Sequence, residues 1–320
     1  MDSNYKYEIG QCDLPEASHS SLQSFREKRS VWLSWIDKDE HHAISQVLSS
    51  MAWADVSFRT LQTIATTDES SSLHNALLSE MLHQGYFASQ LLAIRRLADN
   101  RKKGAISIKR LLKDMAGNIK IFTRENFICF DGLPYDYAKI QDESIAQLRV
   151  DGPSWGIMSG PLAYGPSQLA HEQFDRLSGV TVGNRKRLDK LPDNLFSRIS
   201  EWFDSSGADE VIKWTHAFLA HAGDPHERGK VTLETIKLDR ISDIIRTFSR
   251  ITEALSRLLN SGGLTNSVMP HALFDQFELL ENPILVCRGK IEPQDIWNKL
   301  SSERNGYLDD LEQKLVAHPT

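Results

Sequence analysis

AISQVLSSMAWADVSFRTLQTIA, residues 43–65, sets Ile44, Val47, Leu48, Met51, Ala54, Phe58, Leu61 and Ile64 three or four positions apart. That spacing puts them on one stripe of an α-helix, where burying them against a neighbour stabilises both elements. A second stripe follows from Ser71 to Ala98, through Leu73, Leu77, Met81, Leu82, Tyr86, Leu91, Ile94 and Leu97, with Ser70 or Ser71 as its N-cap. Gly104 interrupts the pattern, and ISIKRLLKDM starts a shorter helix with Ser107 near its beginning. Two long amphipathic stripes in succession predict an all-α helical bundle.

The same reading extends outward in both directions. Residues 1–18 read as a loose tail, and 19–262 as the helical domain. Within that domain, 131–166 holds Gly132, Gly152, Gly156, Gly160 and Gly165 with Pro134, Pro153, Pro161 and Pro166. This density of breakers predicts an irregular insertion, apart from a short helix around Asp142–Leu148. Helices are expected again at Ser167–Leu177, Asp193–Phe203, Ala208–Ala222 and Leu233–Leu259, the last stopped by Gly262 and Gly263. Residues 263–320 form a C-terminal extension with a helix over Pro293–Val316. Strand signals are confined to IKIF and FICF within 119–130 and to ILVC at 284–287.

Composition narrows the classes. Of the 320 residues, 40% are hydrophobic and 25% charged, and the formal charge is −6. That balance suits a globular protein and argues against one that coats nucleic acid with its whole surface. Cys12, Cys129 and Cys287 are far apart and form no CxxC pair, which fits thiols in a reducing, cytoplasmic compartment. The polar N-terminus does not read as a targeting peptide, and no apolar run approaches the ~20 residues of a membrane span. No GxSxG elbow, phosphate-binding GxxxxGK[ST] loop or GxGxxG fingerprint is present. No cofactor is expected.

Two segments carry chemistry. WTHAFLAHAGDPHER, residues 214–228, contains His216, His221 and His226. Zinc on a helix needs ligands one turn apart, whereas His216 and His221 are five apart and roughly 140° around the axis, so no metal is expected. A helix end where imidazolium complements the macrodipole is the plain alternative. The third is RNA chemistry, since imidazole titrates near neutrality and serves as acid or base. The second segment supplies cations. Arg95, Arg96, Arg101, Lys102, Lys103, Lys109, Arg110, Lys113, Lys120 and Arg124 face only Asp99, Asp114 and Glu125, a local +7 in an acidic chain. A phosphate backbone would reward that asymmetry. A solvated helical corner would show the same charges, and Arg95 and Asp99, four apart, could pair along their helix. DGLPYDY, at 131–137, offers carboxylates and phenols, but reads as a turn.

QLLAIRRLAD (90–99), ISIKRLL (106–112), FTRENF…FDGLPYDY (122–137) and FLAHAGDPHER…TLETIKLDRI (218–241) occur in an order that resembles bacterial proteins similar to the abortive-infection branch of the HEPN superfamily. The resemblance spans about residues 39–264. It implies a helical bundle, a homodimer, and either a metal-independent ribonuclease in phage defence or stress, or a non-catalytic module that binds RNA, an antitoxin or another operon partner. The family's Arg-x4–6-His motif places its histidine on His221. Positions 214–216 hold Trp, Thr and His where the arginine would stand, and the cation nearest upstream is Lys213. Arg95, Arg96 or a partner chain would have to supply the charge. On this reading His221 is general acid or base, Arg96 and Arg95 hold phosphate, and Asp99 orients Arg95 or His221. Arg101, Lys102, Lys103, Lys109, Arg110 and Lys213 would bind nucleic acid.

Overall fold

A computed structural model describes residues 5–99, 104–151 (backbone only over 147–151), 158–216 and 236–259, with scattered positions between 268 and 302. Among these residues the chain is all-helical, and its one β-type pairing is an isolated antiparallel bridge between Thr123 and Lys190. The helices are α1 (His19–Leu33), α2 (Ile44–Thr67), α3 (Ala76–Ala98), α4 (Ile108–Gly117), α5 (Arg124–Cys129), α6 (Tyr137–Asp151), α7 (Tyr164–Ser178), α8 (Leu195–Asp204), α9 (Ala208–Thr215) and α10 (Leu238–Arg257). No described helix is long and apolar enough to cross a membrane.

The stripe of residues 43–65 is α2, and its Ile44, Leu48, Met51 and Phe58 are buried. It packs between α3 and α10, α3 packs on α9, and α8 on α10. α10 has the same logic, with Ile241, Ile244, Ile245, Phe248, Ile251 and Leu255 buried at three- and four-residue spacing. Aromatic rings fill the junctions. Trp32 lies parallel to Phe122 with centroids 5.3 Å apart, Phe58 on Tyr86 at 4.2 Å, and Phe203 on Phe248 at 5.0 Å. One polar node ties three helices. Asp55 of α2 accepts hydrogen bonds from the Tyr86 hydroxyl of α3, from Arg59 at 3.2 Å and from Ser242 of α10 at 2.8 Å.

Several expectations are corrected by the structure. α3 starts at Ala76, capped by Asn75, whose Oδ1 accepts from the Leu78 amide at 3.2 Å; Ser71 caps a separate 3-10 turn, Ser72–His74. IKIF and FICF are not strands. Residues 119–121 form a 3-10 turn, and Thr123 caps α5 by accepting from the Asn126 amide at 3.3 Å. The insertion is more regular than its composition suggests, because no Gly or Pro falls between Pro134 and Gly152 and α6 occupies that gap. ILVC, the Gly262–Gly263 stop and nearly all of the C-terminal helix lie outside the described residues.

The segment before α1, expected as a loose tail, is anchored over residues 5–18. The Lys6 amide donates to Asp131 at 2.8 Å, the Tyr135 amide to Asp13 at 2.8 Å, and Arg187 to the Asp13 carbonyl at 2.8 Å. Tyr7 lies against Gly160, at φ +86°, and any Cβ there would collide with its hydroxyl. Only glycine satisfies both the left-handed backbone and the close ring.

A charged core sits beneath this segment. Arg124 is fully buried; its guanidinium meets Asp175 at 2.7 Å and Asp189 at 3.0 Å, and stacks over Phe174 at 4.7 Å. Arg185 closes on Asp175 from the other side at 2.6 Å. Burial pushes the Asp175 carboxyl upward, but hydrogen bonds from Arg185 and Arg124 win and hold it below the ordinary carboxylate range. The DGLPYDY turn docks here, as His171 Nε2 donates to the Tyr135 carbonyl at 2.8 Å.

His171 is 2% exposed, and its Nδ1 has no partner among the described residues. Burial lowers its pKa, the Tyr135 carbonyl opposes that, and the Arg185 and Arg124 charges add to it, bringing it to about 4. The folded protein therefore holds this ring neutral, while the unfolded chain protonates it near 6.5. Its contribution is complete above pH ~6.5 and is lost as pH falls toward 4, by on the order of 2–3 kcal/mol. Urea midpoints measured across that window should fall less steeply for His171→Gln than for wild type. Parallel curves would rule the account out.

Candidate functional site

The C-terminal turn of α3, the start of α4 and one face of α9 enclose a pocket of about 450 Å³. On α3 the lining residues are Arg95, Ala98 and Asp99; on α9 they are Asp209, Ile212, Lys213 and His216. Both sets follow the three- and four-residue spacing of a single helical face, so the α3–α9 packing brings them together. Lys109 of α4 completes the wall. The turn that delivers it is pinned by Ser107, whose hydroxyl donates to the Asp99 carbonyl and accepts from the Arg110 amide at 3.2 Å.

Of the ten residues that sequence reasoning singled out, Arg95, Asp99, Lys109 and Lys213 meet in this pocket. Lys109 is already paired, 2.9 Å from Asp209 and 4.5 Å from the Phe203 ring centroid. Arg95 and Lys213 make no hydrogen bond or ion pair among the described residues, and the expected Arg95–Asp99 pair does not form. Two unpaired cations beside one paired cation and two carboxylates make a site that attracts an anion locally, without a large single-sign field.

Arg96, one residue on, turns about 100° around α3. It lines a separate cleft of about 290 Å³ with His41, Gln46, Ser50, Ser89 and Gln90, and one of its terminal nitrogens is buried without a partner among the described residues. Arg96 and Arg95 therefore do not share a site. Arg110 stacks on Trp35 at 4.2 Å and donates to the Ala105 carbonyl at 2.8 Å, so it serves packing instead. Arg124, counted in the basic run, is the buried hub of the charged core. Of the described cations in that run, Arg124 thus lies in an interior network, Arg110 in a packing contact, and Arg95, Lys109 and Arg96 in two different pockets. His221, Arg101, Lys102 and Lys103 lie outside the described residues.

In the sequence His216 stands out only as one of a three-histidine run whose spacing is wrong for zinc. Its place with Asp209, Ile212 and Lys213 follows from i, i+3, i+4, i+7 spacing along α9, a signal present in the sequence. Among the described residues no group of three His, Cys, Asp or Glu side chains is arranged to hold a metal ion. Cys12 and Cys129 are buried thiols, and burial pushes both above the ordinary range.

Set beside known protein families, curated proteins and solved structures, the chain matches none.

Proposed function

We propose that this chain is a HEPN-like helical protein that binds RNA, holding backbone phosphate in the α3–α9 pocket. The observation that carries the proposal is the convergence of Arg95, Lys109, Lys213 and His216 on one pocket, with Arg95 and Lys213 unpaired among the described residues. Each such cation that touches phosphate releases counterions, so affinity falls with salt by a slope of about 0.7 per contact for single strands.

A second reading, metal-independent RNA cleavage, is favoured by the imidazole of His216 in the same wall. A histidine there can accept the 2′-hydroxyl proton as the P–O2′ bond forms and the P–O5′ bond breaks, with Arg95 stabilising charge on the attacked phosphate. The departing 5′-oxygen takes a proton from water or from the imidazolium. His221 remains the residue that the family resemblance marks for this role. Arg96, in its own cleft, would contact RNA only away from the pocket. Two copies facing one another, as the resemblance implies, would give a sedimentation mass twice that of the chain.

The test is end-labelled bulk RNA incubated in EDTA with wild type and variants, following retained complex and products together. Arg95→Ala and Lys213→Ala should each weaken retention several-fold and reduce the salt slope by about 0.7. Arg110→Ala should leave the slope unchanged, because that guanidinium is held on Trp35. Cleavage lost in His216→Ala or His221→Ala would establish the enzyme and identify its base. Retention without products would leave the binding module, and retention indifferent to Arg95 and Lys213 would overturn the site.

A further inference from the structure

A larger groove, of about 930 Å³, runs between α8 and α10 with the end of α7 as its third wall, and shares no lining residue with the α3–α9 pocket. Its floor is aliphatic. Leu195 and Ile199 of α8, Ala254 and Leu258 of α10, and Leu177 of α7 line it, and Trp202 stands in it 49% exposed. The lining on α10 extends from Thr247 to Leu258, about 16 Å at 1.5 Å per residue, or three helical turns. Arg176, Arg250 and Arg257 also line it, against the single carboxylate of Glu253. Glu253 is held by Arg257 at 2.8 Å, and Arg250 makes no hydrogen bond or ion pair among the described residues.

We infer that this groove docks an acidic amphipathic helix of a partner protein. An apolar trough about three turns long accepts the apolar stripe of a helix at i, i+3, i+4 and i+7. Trp and Arg, the side chains most enriched among residues that dominate binding energy, stand together here. Three guanidiniums against one committed carboxylate select glutamate or aspartate on the flanks of the incoming helix and repel lysine. Single-stranded RNA fits less well. Its bases need aromatic faces to stack on, and Trp202 is the one aromatic side chain among the described lining residues, whose other apolar members are Leu, Ile, Ala and Val.

The experiment uses the full chain and two fluorescein-labelled peptides of about 18 residues, long enough for helicity alone. Both carry leucine at i, i+3, i+4 and i+7; one has glutamate and the other lysine at the flanking positions. Fluorescence anisotropy should show binding of the Leu/Glu peptide at least tenfold tighter than of the Leu/Lys peptide. Arg250→Glu with Arg257→Glu, both surface changes, should reverse that order, and Trp202→Ala should weaken both peptides. Circular dichroism and melting of each variant separate lost docking from lost folding. Should a variant unfold, competition of the Leu/Glu peptide on wild type by rising salt replaces it, with loss of the preference expected as charges are screened. Equal affinity for both peptides would overturn the proposal. So would dodecanoate binding without either peptide, which would mark a small-amphiphile site, or an unstructured RNA oligomer competing with the Leu/Glu peptide, which would mark a nucleic-acid groove.

Discussion

Arg124→Ala should cost about 3–5 kcal/mol, because it leaves Asp175 and Asp189 in the interior without the cation that compensates them. Both carboxylates lie within 3.0 Å of that guanidinium, and its side chain has no exposed surface. Asp175 keeps Arg185 at 2.6 Å, and Asp189 keeps the Lys186 amide at 2.8 Å, so the effect stays within that range. A loss of this size is about a fifth or more of the stability of an ordinary domain. Arg124→Lys should recover little, since one ammonium cannot address two carboxylates with the geometry of a planar fork. The sign with pH is also determined. Asp175 has a depressed pKa when folded, so its contribution is present above the unfolded value near 3.9 and lost as pH falls below it. Wild type and Arg124→Ala should therefore converge in strongly acid solution. Urea denaturation at pH 7 and pH 3 measures both points. A midpoint at pH 7 within error of wild type would refute the assignment of Arg124 as hub.

Trp32→Ala should be comparably damaging, again about 3–5 kcal/mol, through a different mechanism. Trp32 is fully buried, lies parallel to Phe122, and donates from its indole nitrogen to Asp114 at 2.7 Å. Alanine opens a cavity beside Phe122 and removes a donor from Asp114, although Lys28 still meets that carboxylate at 3.1 Å. Trp32→Phe keeps most of the ring and should lose about half as much, the remainder being the lost hydrogen bond and the smaller volume. Thermal melts of the two variants should rank alanine well below phenylalanine. Equal melting temperatures would mean that the hydrogen bond, and not the filled volume, governs the position.

Sequence and structure agree where periodicity is long. α2 and α10 bury their stripes over most of their length, because 20 or more residues repeat one phase, whereas α3 buries its stripe only from Tyr86 onward and leaves Leu77 and Met81 exposed. Short segments carry less of this signal. FICF is apolar on every side, which suits a buried helix as well as a strand, and the Thr123 cap that decides for helix is one hydroxyl. The density of Gly and Pro over 131–166 hides α6, because the breakers cluster at the two ends and leave 135–151 clear of them. The candidate site was legible in part. Arg95, Asp99, Lys109 and Lys213 do meet, while adjacent Arg96 faces another cleft and Arg110 lies on a tryptophan. A run of charges shows that cations are present but not whether each faces solvent. Arg124 is the extreme case, a cation in a basic run that lies wholly inside.

The anchoring of residues 5–18 bears on the order of events during synthesis. Lys6 waits for Asp131, 125 positions later, and Asp13 for Arg187, 174 positions later. Contacts so distant along the chain form slowly, because each closes a long loop before any gain is returned. A ribosome adds roughly 5–20 residues per second, so that stretch spends about 10 s or more exposed before its docking surface has been made. The part of this fold that is translated earliest is thus among the last to reach its place, and until then Tyr7 and Cys12 are open to chaperones and proteases.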